Sequence, residues 1–216
     1  KNGEYDCIGP GSGGKDSAYA SWILKKEFGM HPLTITWAPH LYTDWGRRNF
    51  EKWIEGGFDN HLHTPNIKIH RILTRIATEN LLHPFQPFII GQKMIAPKLA
   101  QLLNIPLVFY GENEAEYGNP LLDVYKSKRS NKYHSLDKKD DIFLGGLNIN
   151  IIKDCFGLSS NDFKIYLPDI KLLKKSKPAE VHYLGYYLKW HPQETYYEAV
   201  KNYDFKPCPH RNAGTY

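Results

Sequence analysis

The amino-acid sequence predicts an α/β fold with a mostly parallel, twisted sheet and helices on both of its faces. Short apolar or β-branched segments alternate along the chain with longer segments in which apolar residues recur every three or four positions. This alternation is typical of a parallel sheet covered by helices. The 216 residues are enough for one well-buried core, so residues 1–216 are expected to form a single domain.

Five segments have the composition of strands. They are residues 5–8, 32–37, 61–64, 106–110 and 181–188. Residues 32–37 are rich in β-branched side chains, and residues 106–110 form the continuous apolar run that is typical of strands buried on both faces. Because proline has no backbone N–H, we expect Pro10 to end the first strand.

Helices are predicted between the strands, and the first opens directly out of a glycine-rich loop, with Gly29 as its C-terminal cap. The others cover residues 45–54, 67–82, 88–103 and 194–200, with Pro192 in the first turn of the last. Residues 126–141 are charged and too polar for a core, which predicts either a mobile lid or an unstructured excursion.

Composition narrows the class of protein only slightly. The net charge of +5 suits an anionic small ligand as well as nucleic acid. Cys7, Cys155 and Cys208 form no Cys-x-x-Cys pair, which argues against a disulfide framework and favours a reducing, cytoplasmic setting. Lys93 and Lys98 interrupt the longest apolar run, so no membrane span is expected.

The glycine-rich loop has the composition of a phosphate-binding site. Residues 9–15 fit the Walker pattern Gly-x-x-x-x-Gly-Lys, but Asp16 stands where that pattern has Ser or Thr. The backbone N–H groups of the loop and the N-terminus of the following helix can turn toward one anion. Asp16 would repel phosphate unless a cation lay between them, which predicts bound Mg²⁺. Lys15 would neutralise charge on the leaving pyrophosphate.

This strand, the loop Ser-Gly-Gly-Lys-Asp-Ser and the helix resemble the signature of the PP-loop ATP pyrophosphatases. The resemblance implies ATP and Mg²⁺ as cofactors, AMP and pyrophosphate as products, and a Rossmann-like fold of the adenine nucleotide α-hydrolase (HUP) kind. Pro10 and Gly11 depart from the family, which more often has Gly and an apolar residue there. The predicted ATP-binding residues are Ser12, Gly13, Gly14, Lys15, Asp16, Ser17, Trp37 and Gly111. For Trp37, flanking adenine and packing in the core are both open.

An acidic segment, residues 111–119, follows the fourth predicted strand and should lie at the same sheet edge as the loop. Glu112 is a candidate catalytic residue and, with Asp16, a candidate Mg²⁺ ligand. Asn113, Glu116 and Tyr117 are candidates for binding the second substrate, Glu116 by accepting a proton from an incoming amine. A solvated acidic loop is the alternative. Gln92 and Lys93 are further candidates for the second substrate, or part of an ordinary polar helix face.

Four stretches, residues 12–17, 87–93, 107–119 and 182–193, together resemble a narrower family, the N-acetyl sugar amidotransferases of the WbpG and PseA type. The resemblance implies conversion of an acetamido sugar, or its nucleotide conjugate, to an acetamidino sugar. Family members act in lipopolysaccharide O-antigen and flagellin (pseudaminic acid) glycan synthesis. They are thought to receive ammonia from a separate HisH-like glutaminase. The family's N-terminal cysteine-rich, zinc-binding segment has no match here.

Two alternatives remain open. A PP-loop tRNA-modifying enzyme, either a thiolase or a lysidine-forming ligase, would adenylate a nucleobase, although thiolases generally need positioned cysteines. A nucleotide sensor would bind ATP through the same loop without turnover. Between these readings we expect a sugar substrate and no nucleic-acid partner, while the oligomeric state, including a homodimer, stays open.

Overall fold

The computed structural model describes residues 4–111, 126–129, 142–169 and 178–209. Five parallel strands form the main sheet, with bounds Cys7–Pro10 (β1), Pro32–Trp37 (β2), Asn60–His63 (β3), Leu107–Tyr110 (β4) and Glu180–Tyr183 (β7). Their order across the sheet is β3-β2-β1-β4-β7. The predicted α/β class with a parallel sheet is therefore confirmed.

Helices cover both faces of this sheet. They are α1 (Lys15–Lys26), α2 (Asp44–Glu55), α3 (Ile67–Leu81), α4 (Gln86–Leu102), α5 (Ile149–Phe156), α6 (Leu184–Tyr187) and α7 (Pro192–Tyr203). The larger core joins β1, β2, β4 and β7 to α3 and α4, and a smaller core joins α1, α2 and α7. Within the described ranges no helix is long and apolar enough to cross a membrane.

Strand β1 lies at the centre of the sheet and spans Cys7–Pro10, two residues later than the predicted segment 5–8. Pro10 is its last residue and pairs with Ile35 of β2. Gly11 donates its N–H to Ile35 O at 2.9 Å, so by the alternation of a strand the nitrogen of Pro10 faces β4. Pairing with β4 has already ended at Ile8, and the missing N–H therefore removes no ladder hydrogen bond.

The fifth predicted strand is shorter than residues 181–188. Strand β7 stops at Tyr183, which pairs with Tyr110, the last residue of β4. The chain then turns into α6. Periodicity also missed four elements: the two strands of the hairpin, β5 (Phe143–Leu144) and β6 (Leu147–Asn148), helix α5, and a 3-10 helix at Ser160–Tyr166.

Candidate functional site

The loop between β1 and α1 lies at the carboxyl edge of the sheet, in the middle of the strand order. Gly13 has φ +82°, in the left-handed region that favours glycine. A Cβ at this position would lie 2.5 Å from the Cα of Phe50, so the loop passes directly against the backbone of α2. Glycine at position 13 is thus required by both dihedral angle and space.

The N-terminus of α1 faces this loop without a side-chain cap. Gly14 is its N-cap residue, and no described side chain caps the helix, which is also true of α4 and α7. The first internal bond of α1 runs from Ala18 N to Gly14 O at 3.0 Å. The leading N–H groups and the positive end of the helix dipole are therefore suited to binding an anion.

Lys15 and Asp16, at the start of α1, form an ion pair. Lys15 Nζ donates to both carboxylate oxygens of Asp16, at 2.7 and 2.6 Å. Trp190 Nε1 donates to Asp16 Oδ1 at 3.3 Å, which ties the segment before α7 to the loop. Both charged side chains are partly exposed, so other partners can reach them.

The possible metal ligands near the loop are compatible with an Mg²⁺ ion that is bound by a protein carboxylate together with phosphate oxygens. Asp16 is the one carboxylate that the described residues place in the cleft, and Mg²⁺ commonly binds one or two carboxylates together with phosphate oxygens. Its predicted second ligand, Glu112, lies outside the described residues. Among the residues that are described, no three His, Cys, Asp or Glu side chains are grouped as a metal site.

A cleft of about 300 Å³ opens beside the loop and extends across β1, β2, β4 and β7. Gln92 and Lys93 of α4 line it together with Gly111, Ser12 and Asp16, so the structure brings these predicted residues together. The first turn of α1, with Ser17, also lines it. The roles assigned to these residues stay predictions.

Trp37, the last residue of β2, is only 3% exposed. Its indole packs against His63, with ring centroids 5.0 Å apart, and against Tyr166 at 5.7 Å. A Cβ on Gly91 would lie 2.3 Å from the same indole, so α4 approaches β2 closely at this point. The core position that the sequence left open is therefore observed. Trp37 also borders the cleft, and contact with adenine stays a prediction.

Three of the predicted substrate residues and one predicted metal ligand cannot be placed. Glu112, Asn113, Glu116 and Tyr117 belong to residues 112–125, which lie outside the described residues. Residues 130–141, most of the predicted polar loop, also lie outside them.

Arg129 is a cleft residue that sequence reasoning missed. It belongs to the charged stretch predicted to be too polar for a core, yet it is only 6% exposed. Its N–H donates to Val181 O at 2.9 Å, and Lys128 forms an antiparallel bridge with His182. The start of the stretch is therefore packed beside β7. The sequence around residue 129 did not predict this burial, because the burial of an arginine depends on partners that are distant along the chain.

A second pocket, of about 190 Å³, also borders the loop at Ser12–Gly14. Rings of Tyr42, Trp45, Phe50 and Phe205 line it. Asn49 closes one side by two hydrogen bonds with the backbone of Lys206, at 2.8 and 3.0 Å. The C-terminal segment after α7 is thereby attached to α2 behind the phosphate loop.

Together, the strand, the loop and the start of the uncapped helix form a site suited to binding an anion, and nucleotide binding there stays a prediction. No protein-family model and no curated protein matches the chain. One similar solved structure is the U34-tRNA thiolase NcsA from Methanococcus maripaludis with its [4Fe-4S] cluster, at 12% identity and TM-score 0.43 over 98% of this chain. Another is a "predicted subunit of tRNA methyltransferase" from Methanocaldococcus jannaschii, at 20% identity and TM-score 0.38 over 56%. The chain spans 62% and 60% of the lengths of these two proteins. Structural similarity this low does not identify the substrate of this chain.

Proposed function

We propose that this chain is an ATP-dependent enzyme that transfers AMP to an oxygen of a second substrate and releases pyrophosphate. The observation that carries the proposal is the uncapped N-terminus of α1, which meets the loop at Gly13 and Gly14 and has Lys15 and Asp16 in its first turn. Backbone N–H groups at this end would hold the two outer phosphates of ATP. Nucleophilic attack is thereby directed to the α-phosphorus.

The side chains of the loop have separate roles in this proposal. Lys15 leaves Asp16 and neutralises negative charge as pyrophosphate departs. Asp16 would hold Mg²⁺, which would screen the charge of the phosphate oxygens. Trp190 keeps the carboxylate of Asp16 in place through its indole N–H. Catalysis would thus consist mainly of positioning and charge neutralisation.

The second substrate that we propose is an acetamido sugar. The support is that residues 87–93, 107–111 and 182–193, the described parts of three stretches that resemble the N-acetyl sugar amidotransferases, contribute side chains to one cleft and its border. The acetamido oxygen would attack the α-phosphorus of ATP, forming a P–O bond as pyrophosphate leaves. Ammonia would then add to the imidate carbon, and AMP would leave with the former carbonyl oxygen. A separate glutaminase would supply the ammonia.

A nucleobase of tRNA is the second candidate, because adenylation of a base oxygen uses the same chemistry. Both solved structures are named for tRNA modification, which agrees with this candidate rather than with a sugar. Their TM-scores of 0.43 and 0.38 are too low to support an inference about the substrate of this chain. The net charge of +5 is compatible with either. Activity assays with both substrates therefore have to decide between them.

The proposal is tested by following radiolabelled ATP in the presence of Mg²⁺, ammonium and either acetamido sugars or tRNA. We expect AMP and pyrophosphate, and with a sugar a product one mass unit lighter. Lys15→Met should lower AMP formation by about 100-fold or more, the effect of removing one charge-stabilising group. Lys26→Met is the matched control, because Lys26 is exposed in the last turn of the same helix.

Each outcome decides a different part of the proposal. ADP as the nucleotide product would contradict adenylation. AMP formation that requires tRNA would replace the sugar by the second candidate. Turnover with ammonium but not with glutamine supports a separate glutaminase, whereas turnover with glutamine alone would contradict it.

A further inference from the structure

Asn49 is a buried polar residue of α2 that contacts both the phosphate loop and the C-terminal segment. It is only 8% exposed. Its Nδ2 donates to Lys206 O at 2.8 Å, and its Oδ1 accepts from Lys206 N at 3.0 Å. On the loop side, a Cβ on Gly13 would lie 2.9 Å from the backbone carbonyl carbon of Asn49. One residue thus connects two segments that are far apart along the chain.

The chain after α7 is held on the same turn of α2 by further contacts. Arg48 donates to Asp204 twice, from Nη1 to the backbone oxygen at 2.8 Å and from Nη2 to the carboxylate. Phe205 and Phe50 both pack against the smaller core. These partners on α2 are neighbours of Asn49, so the contacts fix the turn of α2 against which the loop packs.

The loop depends on the position of this turn because Gly13 has no side chain that could fill a gap. A Cβ there would lie 2.5 Å from Phe50 Cα, so the two backbones are already in direct contact. Closely packed backbones transmit displacement rather than absorb it. A shift of α2 would therefore move the loop and the N–H groups that, in the proposed function, hold the phosphates of ATP.

We propose that Asn49 is a positioning residue for nucleotide binding, and that attachment of residues 204–208 to α2 keeps the phosphate loop in its ATP-binding position. This inference rests on the proposed function and concerns the regulation of the same site. Release of the segment would free α2 to shift, and ATP would bind tightly only to the fraction of molecules in which the segment is attached. Because binding linkage is reciprocal, bound ATP would in turn hold the segment on α2.

The first test measures, by calorimetry, the affinity of the full chain for a non-hydrolysable α,β-methylene analogue of ATP with Mg²⁺. Asn49→Ala removes both hydrogen bonds to Lys206 and should raise the Kd about tenfold. Asn202→Ala is the matched control, because that side chain also makes two hydrogen bonds, but within α7, to Glu198. Its Kd should stay within about twofold of the wild-type value.

A second control separates positioning from stability. Ile152→Val shortens a buried side chain of α5, in the larger core, and lowers the stability of the fold. Ile152 lines neither pocket beside the loop. The Kd of this variant for the ATP analogue should be unchanged at temperatures where the chain is folded.

The second test measures the reverse effect, through hydrogen exchange of the Lys206 amide, which donates to Asn49. The ATP analogue should slow this exchange by a factor comparable to the affinity lost in Asn49→Ala. The reference is the amide of Leu158, which donates to Lys153 O at the end of α5 and should be slowed less. A role of Asn49 in stability alone would slow both amides equally.

Asp204→Asn serves if Asn49→Ala does not fold. It removes the charge that pairs with Arg48, at an exposed side chain. It also keeps an asparagine at a left-handed position, φ +50°, which asparagine tolerates. The Kd for the ATP analogue should rise about threefold, as expected for the loss of a surface ion pair.

The failures are distinguishable. If the wild-type chain does not bind the ATP analogue, the proposed function is wrong and this inference falls with it. If the wild type binds and Asn49→Ala, or Asp204→Asn in its place, binds equally well, only the positioning role is wrong. Equal slowing of exchange at Lys206 and Leu158, or weaker binding in Ile152→Val as well, would indicate a general effect of stability and would also overturn the inference.

Discussion

Replacement of Gly13 by alanine is the sharpest test of the phosphate loop. Gly13 has φ +82°, where an L-residue is strained by about 1–2 kcal/mol. The new Cβ would also lie 2.5 Å from the Cα of Phe50 and 2.7 Å from its N, which are backbone atoms and cannot rotate away. Overpacking of this kind costs about 1–3 kcal/mol. Gly13→Ala should therefore lose about 2–5 kcal/mol of unfolding free energy.

The same change should abolish ATP binding, because relieving the contact moves the loop away from α2 and turns its N–H groups. Gly14→Ala is the control: Gly14 has an ordinary extended conformation, and a Cβ added there would have no heavy atom within 4 Å. We expect Gly14→Ala to lose about 1 kcal/mol or less, as an N-cap change. Urea unfolding and calorimetric titration with ATP and Mg²⁺ measure both effects. If Gly13→Ala matched Gly14→Ala in stability and affinity, the packing argument would be refuted.

Three further predictions concern the surroundings of the loop. Gly91→Ala should destabilise the fold by about 1–3 kcal/mol, because its Cβ would lie 2.3 Å from the indole of Trp37; an unchanged urea midpoint would contradict this. Burial lowers the pKa of His70 to about 4, below its usual 6.5, so the unfolded chain binds more protons and stability falls as pH drops from 6.5 toward 4. At pH 5 the free energy of unfolding should be about 2 kcal/mol lower than at pH 7.5. Urea unfolding of His70→Gln should show a smaller decrease between the same two pH values. Trp190→Phe removes the hydrogen bond to Asp16 and should weaken ATP binding, measured by calorimetry, by about fivefold. An unchanged affinity would contradict a role of this hydrogen bond in ATP binding.

Local patterns predicted the elements that position the loop. The segment Pro32–Trp37 was predicted with its observed bounds, because six β-branched or apolar residues are buried throughout. Gly29, predicted as the C-terminal cap of α1, lies two residues after the observed cap residue Glu27; it has φ +61°, and Met30 N donates to Leu24 O beside it. Both signals lie within a few residues of the structure that they specify.

The rest of the site depends on contacts between distant parts of the chain. Arg129 is buried because tyrosines at the ends of β4 and β7 surround it, and no pattern near residue 129 indicates those partners. Trp190 and Asp16 meet across 174 positions. The hairpin of β5 and β6 has only two residues in each strand, too few for a periodic pattern. The sequence could predict which residues lie at an edge of the sheet, but it could not predict which of them contact one another.

In the proposed function, Lys15 and Asp16 would give up their mutual contact in order to serve the phosphates. Nucleotide binding would therefore be an exchange reaction, and the measured affinity would be the difference between the new contacts and the old one. Added salt weakens both, so affinity should depend on ionic strength less steeply than the number of charges suggests. Without a divalent cation, pyrophosphate would bind Lys15 and place its negative charge next to the carboxylate of Asp16. Nucleotide and metal should therefore bind with positive coupling.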